Sequence, residues 1–420
     1  MRDLDALAAA TPATRDRYVD LLRAVSICAV VFGHWFIGII HVEDGLVSLT
    51  SAVGVTSGLW LGTWLFQVMP VFFFVGGFSN LTAYDATRRR GGTTGEFVRG
   101  RVVRLLRPSA VFLGLWVLVQ VGLHAADVGR AAGPPLWGDT RLLRGMLPPA
   151  QTVPFGPLWF LGFYLVVVIA APWLFALHRR FGLAVPIAMA ASVVVVDVVG
   201  FGLGLHGFRY LNIAPVLLFP HQLGFFYAEG RFGSRRLQWA MVIGGLAALV
   251  LLTTPWAFQA FGDARFEWFP GLGQYPKSLL GTDVEAISNA YPPTVCFLLG
   301  GVWSIGAVML LRPVASRWLE RAGVWKATIF ANAIIMTLFL WHMTAYLLAI
   351  LALWPLGFGR QQDSTARWWI ERPVWVLVPG LILAVIVALV GRFERPPAGS
   401  RRTLVPDGSD RTRRGRAPLK

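Results

Sequence analysis

The feature that most limits what this chain can fold into is a succession of apolar runs, each about 20 residues long. Short stretches in which the arginines collect separate them. A helix of that length crosses the hydrocarbon of a bilayer with every backbone N–H and C=O satisfied internally. Ten runs qualify, at roughly 18–40, 59–84, 108–127, 155–177, 182–204, 210–229, 237–255, 291–311, 328–353 and 373–391. Gly200, Gly202 and Gly204 blur the boundary between the fifth and the sixth. The expected fold class is all-α, a polytopic membrane bundle of about ten transmembrane helices.

Composition agrees. Only 14% of the residues are charged, against about 25% in a soluble domain. A net charge of +16 raises the question of nucleic acid, but that function needs a basic face on a folded domain. Here the arginines stand at the ends of apolar runs, where positive charge orients helices, so membrane lipid is the expected neighbour and nucleic acid is not. Cys28 and Cys296 each lie inside an apolar run, which gives no disulfide framework and no metal-ligand spacing; no metal is expected. The first run lacks a small-residue cleavage site and carries on into His34 and Trp35, as a retained helix rather than a signal peptide does.

The loops set the orientation. With the N-terminus in the cytoplasm, inside segments hold 28 Lys and Arg and outside segments 9, a bias that places both termini inside. The chain then divides into a cytoplasmic N-terminal segment (1–17), a transmembrane domain (18–391) and a basic cytoplasmic tail (392–420). The tail, rich in Pro, Gly, Ser and Arg, is expected to be disordered and to lie on anionic lipid heads. The outer loop 256–290 carries Trp256, Phe261, Phe266, Trp268, Phe269 and Tyr275 and is expected to fold over the outer mouth.

Ionisable side chains within the membrane are expensive and so are functional candidates. The first run holds the sharpest set, Asp20, Arg23 and His34. Arg23 and His34 are 11 residues apart; at about 100° and 1.5 Å per residue that is about 20° past three turns, with a rise of about 16 Å. Both therefore face one side, Arg23 near the cytoplasmic boundary and His34 deeper. The plain alternative pairs Asp20 with Arg23 at the interface and leaves His34 a packing hydrogen bond. His342, in the ninth run, lies at a similar depth to His34. Asp197, the pair His221–Gln222 and the boundary pair Glu229–Arg231 carry no motif. The run Gly91-Gly92-Thr93-Thr94-Gly95 lacks the Lys of a phosphate loop.

Arg, ten residues, then His on the first span, in VDLLRAVSICAVVFGH, resembles the signature of acyltransferase family 3, multi-spanning membrane enzymes that O-acylate surface glycans and related acceptors. PVFFFVGGFSN resembles that family's second span, with Gly76-Gly77 where a Ser-Gly pair is common; this keeps close backbone approach but removes a hydroxyl. Arg101-Val-Val-Arg104 matches the family's Arg-x-x-Arg motif, and Arg104-Leu-Leu-Arg107 overlaps it. PLWFLGFYL (157–165) and FLWHMTAYL (339–347) resemble further spans.

The resemblance implies acyl transfer, most simply of acetyl, from cytoplasmic acyl-CoA to a hydroxyl of an extracytoplasmic glycan or glycolipid, in the plasma membrane. Acyl-CoA would be a donor substrate, with no permanently bound cofactor. Arg101, Arg104 and Arg107 would clamp its phosphates, for which guanidinium geometry suits. His34 would be general base or acyl carrier, supported by Arg23. Beside the resemblance, Asp20 and His342 are candidates to orient the substrates and Trp159 and Trp341 to stack on them, with packing the alternative role for His342 and the two tryptophans. The rivals are a transporter or flippase of lipid-linked glycans, which usually shows internal symmetry not seen here, and an inactive membrane partner. Acceptor identity and oligomeric state have no signal in the sequence.

Overall fold

The computed structural model describes residues 11–12, 15–43, 46–125, 153–254, 275–280 and 289–391. Asp16 opens the first helix, α1 (Arg17–Ile37): its Oδ1 accepts from the backbone N–H groups of Tyr18 and Val19 at 3.0 and 3.2 Å. Two of the unpaired donors at a helix start are thereby satisfied. At its far end the chain forms a short antiparallel hairpin, β1 (Gly38–Glu43) and β2 (Leu46–Ser51), pairing Gly38 with Ser51. The hairpin begins inside the expected first run, which is therefore shorter than its apolar length.

The helices that follow are α2 (Trp60–Phe66), α3 (Met69–Arg89), α4 (Thr94–Ala125), α5 (Leu158–Phe181), α6 (Ala184–Gly202), α7 (Ile213–Ala228), α8 (Arg235–Thr253), α9 (Val295–Leu319), α10 (Ala322–Ala333), α11 (Ile335–Leu353) and α12 (Ala366–Val390). Nine helical segments among the described residues are long and apolar enough to cross a membrane, with α2 and α3 together forming one of them. The expected sixth span is the exception. Its helix, α7, has 16 residues, about 24 Å long, less than the roughly 30 Å of hydrocarbon. Nine of its residues are buried, which fits a helix enclosed by its neighbours more than one facing lipid.

Helices α3 and α7 meet at backbone distance. A Cβ on Gly77 would lie 1.9 Å from the backbone oxygen of His221, and one on Gly224 would lie 2.2 Å from that of Phe74. Small residues let membrane helices meet at backbone distance, where dispersion contacts replace the missing hydrophobic drive. Gly76 faces the Tyr164 ring at 3.0 Å from its own Cβ position, so the Gly76-Gly77 pair provides close approach on two sides.

Three expected boundaries move, each for a local reason. Thr93 and Glu96 form a reciprocal cap, Thr93 N–H to Glu96 Oε2 and Glu96 N–H to Thr93 Oγ1, both at 3.1 Å, a capping box. It starts α4 fourteen residues before the apolar run at 108 and carries Arg101 and Arg104 into the helix. The same cap seats a carboxylate at the helix start, where an anion would sit, so the glycine-rich run 91–95 is a turn that leads into the first residues of α4. The ninth run is broken at Ile334 into α10 and α11. The tenth helix begins at Ala366 rather than 373, held by the Thr365 hydroxyl on the Trp368 N–H; Glu371 and Arg372 become internal. The tail 392–420 and most of the aromatic loop 256–290 lie outside the described residues.

Gly77→Ala is expected to lower the melting temperature in detergent and the yield of folded protein, since overpacking typically costs about 1–3 kcal/mol and the obstacle here is backbone. Gly162→Ala, with nothing within 4 Å of its Cβ position, is expected to melt with the wild type.

Candidate functional site

α1 carries the first half of the site. Apart from Arg17 at its start, its exposed residues are Val25, Cys28, Phe32 and His34. At about 100° per residue, His34 points about 180° away from Val25, 160° from Phe32 and 120° from Cys28. Its direction falls between those of the buried residues Val19 and Ile27. An accessible side chain in that direction is turned away from the face on which Val25 and Phe32 are exposed.

His342, on α11, is fully buried at 0% exposure and meets it there. His342 Nε2 lies 3.2 Å from His34 Nδ1, and the ring centroids are 5.2 Å apart. The proton positions follow from the next contact. His342 Nδ1 lies 2.7 Å from the carbonyl oxygen of Phe339, which only accepts, so Nδ1 bears the proton and a neutral His342 has its lone pair on Nε2. His34 must then donate through Nδ1–H. Its own lone pair is left on Nε2, the nitrogen not engaged by His342. Trp35, next in the chain, donates through Nε1 to the backbone oxygen of His342 at 3.1 Å, so ring and backbone of His342 are both tied to α1.

About three turns toward the start of α1, Arg23 donates to Asp20 (3.1 Å), Asn332 (3.3 Å) and Ser79 (2.5 Å). Asp20 also accepts from Arg15 at 2.5 Å. Asn332, from the last turn of α10, holds the Asp20 backbone oxygen at 2.8 Å and so fastens this group to the broken ninth run. The charges of Arg101 and Arg104 and the phenol of Tyr164 all act on Arg23. Three guanidinium groups therefore converge with Asp20 as the carboxylate beside Arg23.

Arg101 is half-buried and points both Nε and Nη2 at the side-chain oxygen of Asn80, with Nε at 3.0 Å. With that oxygen occupied, the Asn80 amide N–H donates to His221 Nε2 at 3.2 Å. Asn80 and His221 are both 0% exposed. Asn80 carried no motif by itself in the sequence; the signal was a lone buried-type amide at the end of the glycine-containing second span. Arg104 and Arg107 are exposed, one turn apart. Pro108 has no N–H for the Arg104 carbonyl, which loosens the helix beside them. Trp341, next to His342 in the chain, packs edge-on against Phe112 with centroids 5.0 Å apart, and Trp159 against Phe160 at 6.2 Å; both are half-buried.

The remaining intramembrane polar residues form separate groups. Asp197 accepts from Asn212 (2.7 Å), the Tyr275 hydroxyl (2.9 Å) and the Val295 N–H (2.9 Å). Burial pushes the Tyr275 phenol well above its ordinary value and Asp197 adds to it, so the hydroxyl keeps its proton and donates. This network braces the bundle and, among the described residues, touches no histidine. Gln222 donates to His178 Nδ1 at 2.7 Å, and His178 Nε2–H reaches Glu229 at 3.0 Å. Glu229 lies 3.9 Å from Arg231, so that boundary pair is loose and His178 is the carboxylate's nearer partner.

Diethyl pyrocarbonate, which acylates a free imidazole lone pair, is expected to label His34 and to leave His221 and His342 unlabelled while the protein is folded; peptide mass spectrometry reads the three sites separately.

Neither the curated proteins nor the solved structures compared with the chain gave a match. The family model for the acyltransferase domain of type 3 matches residues 16–392, from the Asp16 cap to the end of α12, and a match over nearly the whole chain places this protein in acyltransferase family 3, as a multi-pass membrane acyltransferase.

Proposed function

We propose that this protein moves an acyl group, most simply acetyl, from cytoplasmic acyl-CoA to a hydroxyl of a glycan or glycolipid on the other side of the plasma membrane. The observation that carries the reading is an accessible His34 whose Nδ1 is engaged by His342, which leaves the lone pair on Nε2.

Glycan hydroxyls are poor nucleophiles at neutral pH, so a base positioned on the acceptor is needed. His34 Nε2 takes the hydroxyl proton as that oxygen attacks the thioester carbonyl. The new C–O bond forms, the C–S bond breaks, and the departing thiolate takes the proton back from Nε2. His34 is neutral again at the end. While it is an imidazolium, its Nδ1–H points at the His342 lone pair, which shares the charge through the hydrogen bond. His342 is in turn oriented by the Phe339 carbonyl. This is the order of parts in a nucleophile–base–orienter chain, with a second imidazole in the orienting place.

The guanidinium groups of Arg23, Arg101 and Arg104 suit the donor's phosphates, because charge-assisted, forked hydrogen bonds favour them; Arg107 lies one turn further on. Arg23 stands about 16 Å from His34 along α1, so the pantetheine arm bridges the gap and the coenzyme itself need not cross the membrane. Asp20 keeps Arg23 in place. Trp159 and Trp341 border the space in which the acceptor would lie. The reading takes both termini as cytoplasmic, as the 28-to-9 loop bias indicates.

Envelope glycans and lipids from cells with and without the protein, compared by mass spectrometry, are expected to differ by acyl groups. His34→Ala at equal expression is expected to lose the modification, roughly 10³-fold in rate; normal acylation in that variant sinks the proposal. Arg101→Gln is expected to raise the donor KM about tenfold with kcat little changed, the loss of one charge-assisted contact. Movement of a lipid-linked glycan without any acyl difference would favour a flippase.

A further inference from the structure

Arg372 is a buried cation to which the sequence reading assigned no role. It is 2% exposed and, among the described residues, forms no ion pair. Glu371 beside it is engaged elsewhere, accepting from the Gly359 N–H (2.8 Å), Arg367 (2.9 Å) and Trp375 (3.4 Å). Arg372 instead places Nη1 on two backbone oxygens at the end of α1, Gly38 at 3.0 Å and Phe36 at 3.3 Å. Its Nε donates to the Trp368 carbonyl at 3.0 Å, and its guanidinium lies 3.9 Å above the Trp368 ring.

Those two carbonyls are of the kind a helix leaves unpaired at its C-terminus, and a cation there also opposes the negative end of the helix dipole. The place matters more than the energy. Phe36 is two residues and Gly38 one turn beyond His34. Tyr346, one turn beyond His342 on α11, is also beside this guanidinium, and a Cβ on Gly38 would lie 2.7 Å from its hydroxyl oxygen. Thus α1, α11 and α12 are joined one turn past the paired imidazoles. A guanidinium reaches both carbonyls and the Trp368 oxygen while lying flat on an indole; a lysine ammonium lacks that fixed fork.

We infer that Arg372 is a positioning residue: by capping the end of α1 against α11 and α12 it sets the direction of His34 Nε2. The inference rests on the proposed role of His34, but it has a readout that does not depend on acyl transfer. Arg372→Lys, in the full-length protein in membranes, is expected to slow diethyl pyrocarbonate labelling of His34 or to expose His342 to label, by at least threefold, whether or not an acceptor is known. In the acyl-transfer assay the same variant is expected to lower kcat tenfold or more and to leave the donor KM within twofold, because Arg23 and Arg101 are untouched. In a His34→Ala background it should have no further effect on the residual rate.

Arg367→Gln, one turn earlier on α12, is the control and is expected to alter neither the labelling nor the split between kcat and KM. Should Arg372→Lys not accumulate, Tyr346→Phe, which removes the hydroxyl beside the guanidinium, carries the test with the same labelling change and the same kcat loss on a smaller scale. Unchanged His34 and His342 labelling in whichever variant folds overturns the positioning role. Altered labelling in the variant, together with a wild-type protein that shows no acyltransferase activity, would overturn the proposed function and keep the positioning role.

Discussion

The contact on which the site depends is the 2.7 Å hydrogen bond from His342 Nδ1 to the carbonyl of Phe339. It is a bond within one helix, three residues apart, so α11 alone supplies both of its ends. Because the carbonyl is only an acceptor, it decides the tautomer of His342, which decides that His34 donates, which leaves the outer nitrogen of His34 with its lone pair. One local backbone contact thus sets the chemical character of a side chain on another helix. Trp35 adds a second tie to the same residue of α11, so the two imidazoles do not drift apart by rotation of α1.

Polar groups within hydrocarbon must find partners inside the protein, and this protein solves the problem in short chains that cross helix boundaries. Arg23 joins α1 to α3 and α10 through Ser79 and Asn332. Arg101 joins α4 to α3, and Asn80 carries the contact on to α7. Asp197 joins α6 to the segment before α7 and to the start of α9. Each chain both satisfies costly groups and fixes the crossing of the helices that supply them. The close approach of α3 and α7 at Gly77 and Gly224 is what brings Asn80 within reach of His221 at all.

The helices were legible because spanning length and hydropathy are local properties of a run, and the shared direction of Arg23 and His34 followed from helical periodicity alone. The meeting of His34 with His342 was legible only as a coincidence of depth; which helix lies beside which is set by packing. Asn80 and Arg372 were not legible. An asparagine in a glycine-rich span and an arginine at the edge of an apolar run look like a packing residue and a boundary charge until their partners are seen. The beginning of α12 at Ala366, and not at the first apolar residue after Arg372, is what turns a loop cation into a buried one.

By itself, then, the order of residues determined a membrane-embedded helical bundle and one helix face bearing a guanidinium and an imidazole three turns apart. Those are consequences of a 3.6-residue period and a bilayer of fixed thickness. Tertiary structure decided which groups touch that face: the second imidazole, the asparagine bridge and the arginine cap come from α11, α3 and α12. Hydrogen bonds act over about 3 Å, and no spacing along one chain reports a distance of that size between residues some three hundred positions apart.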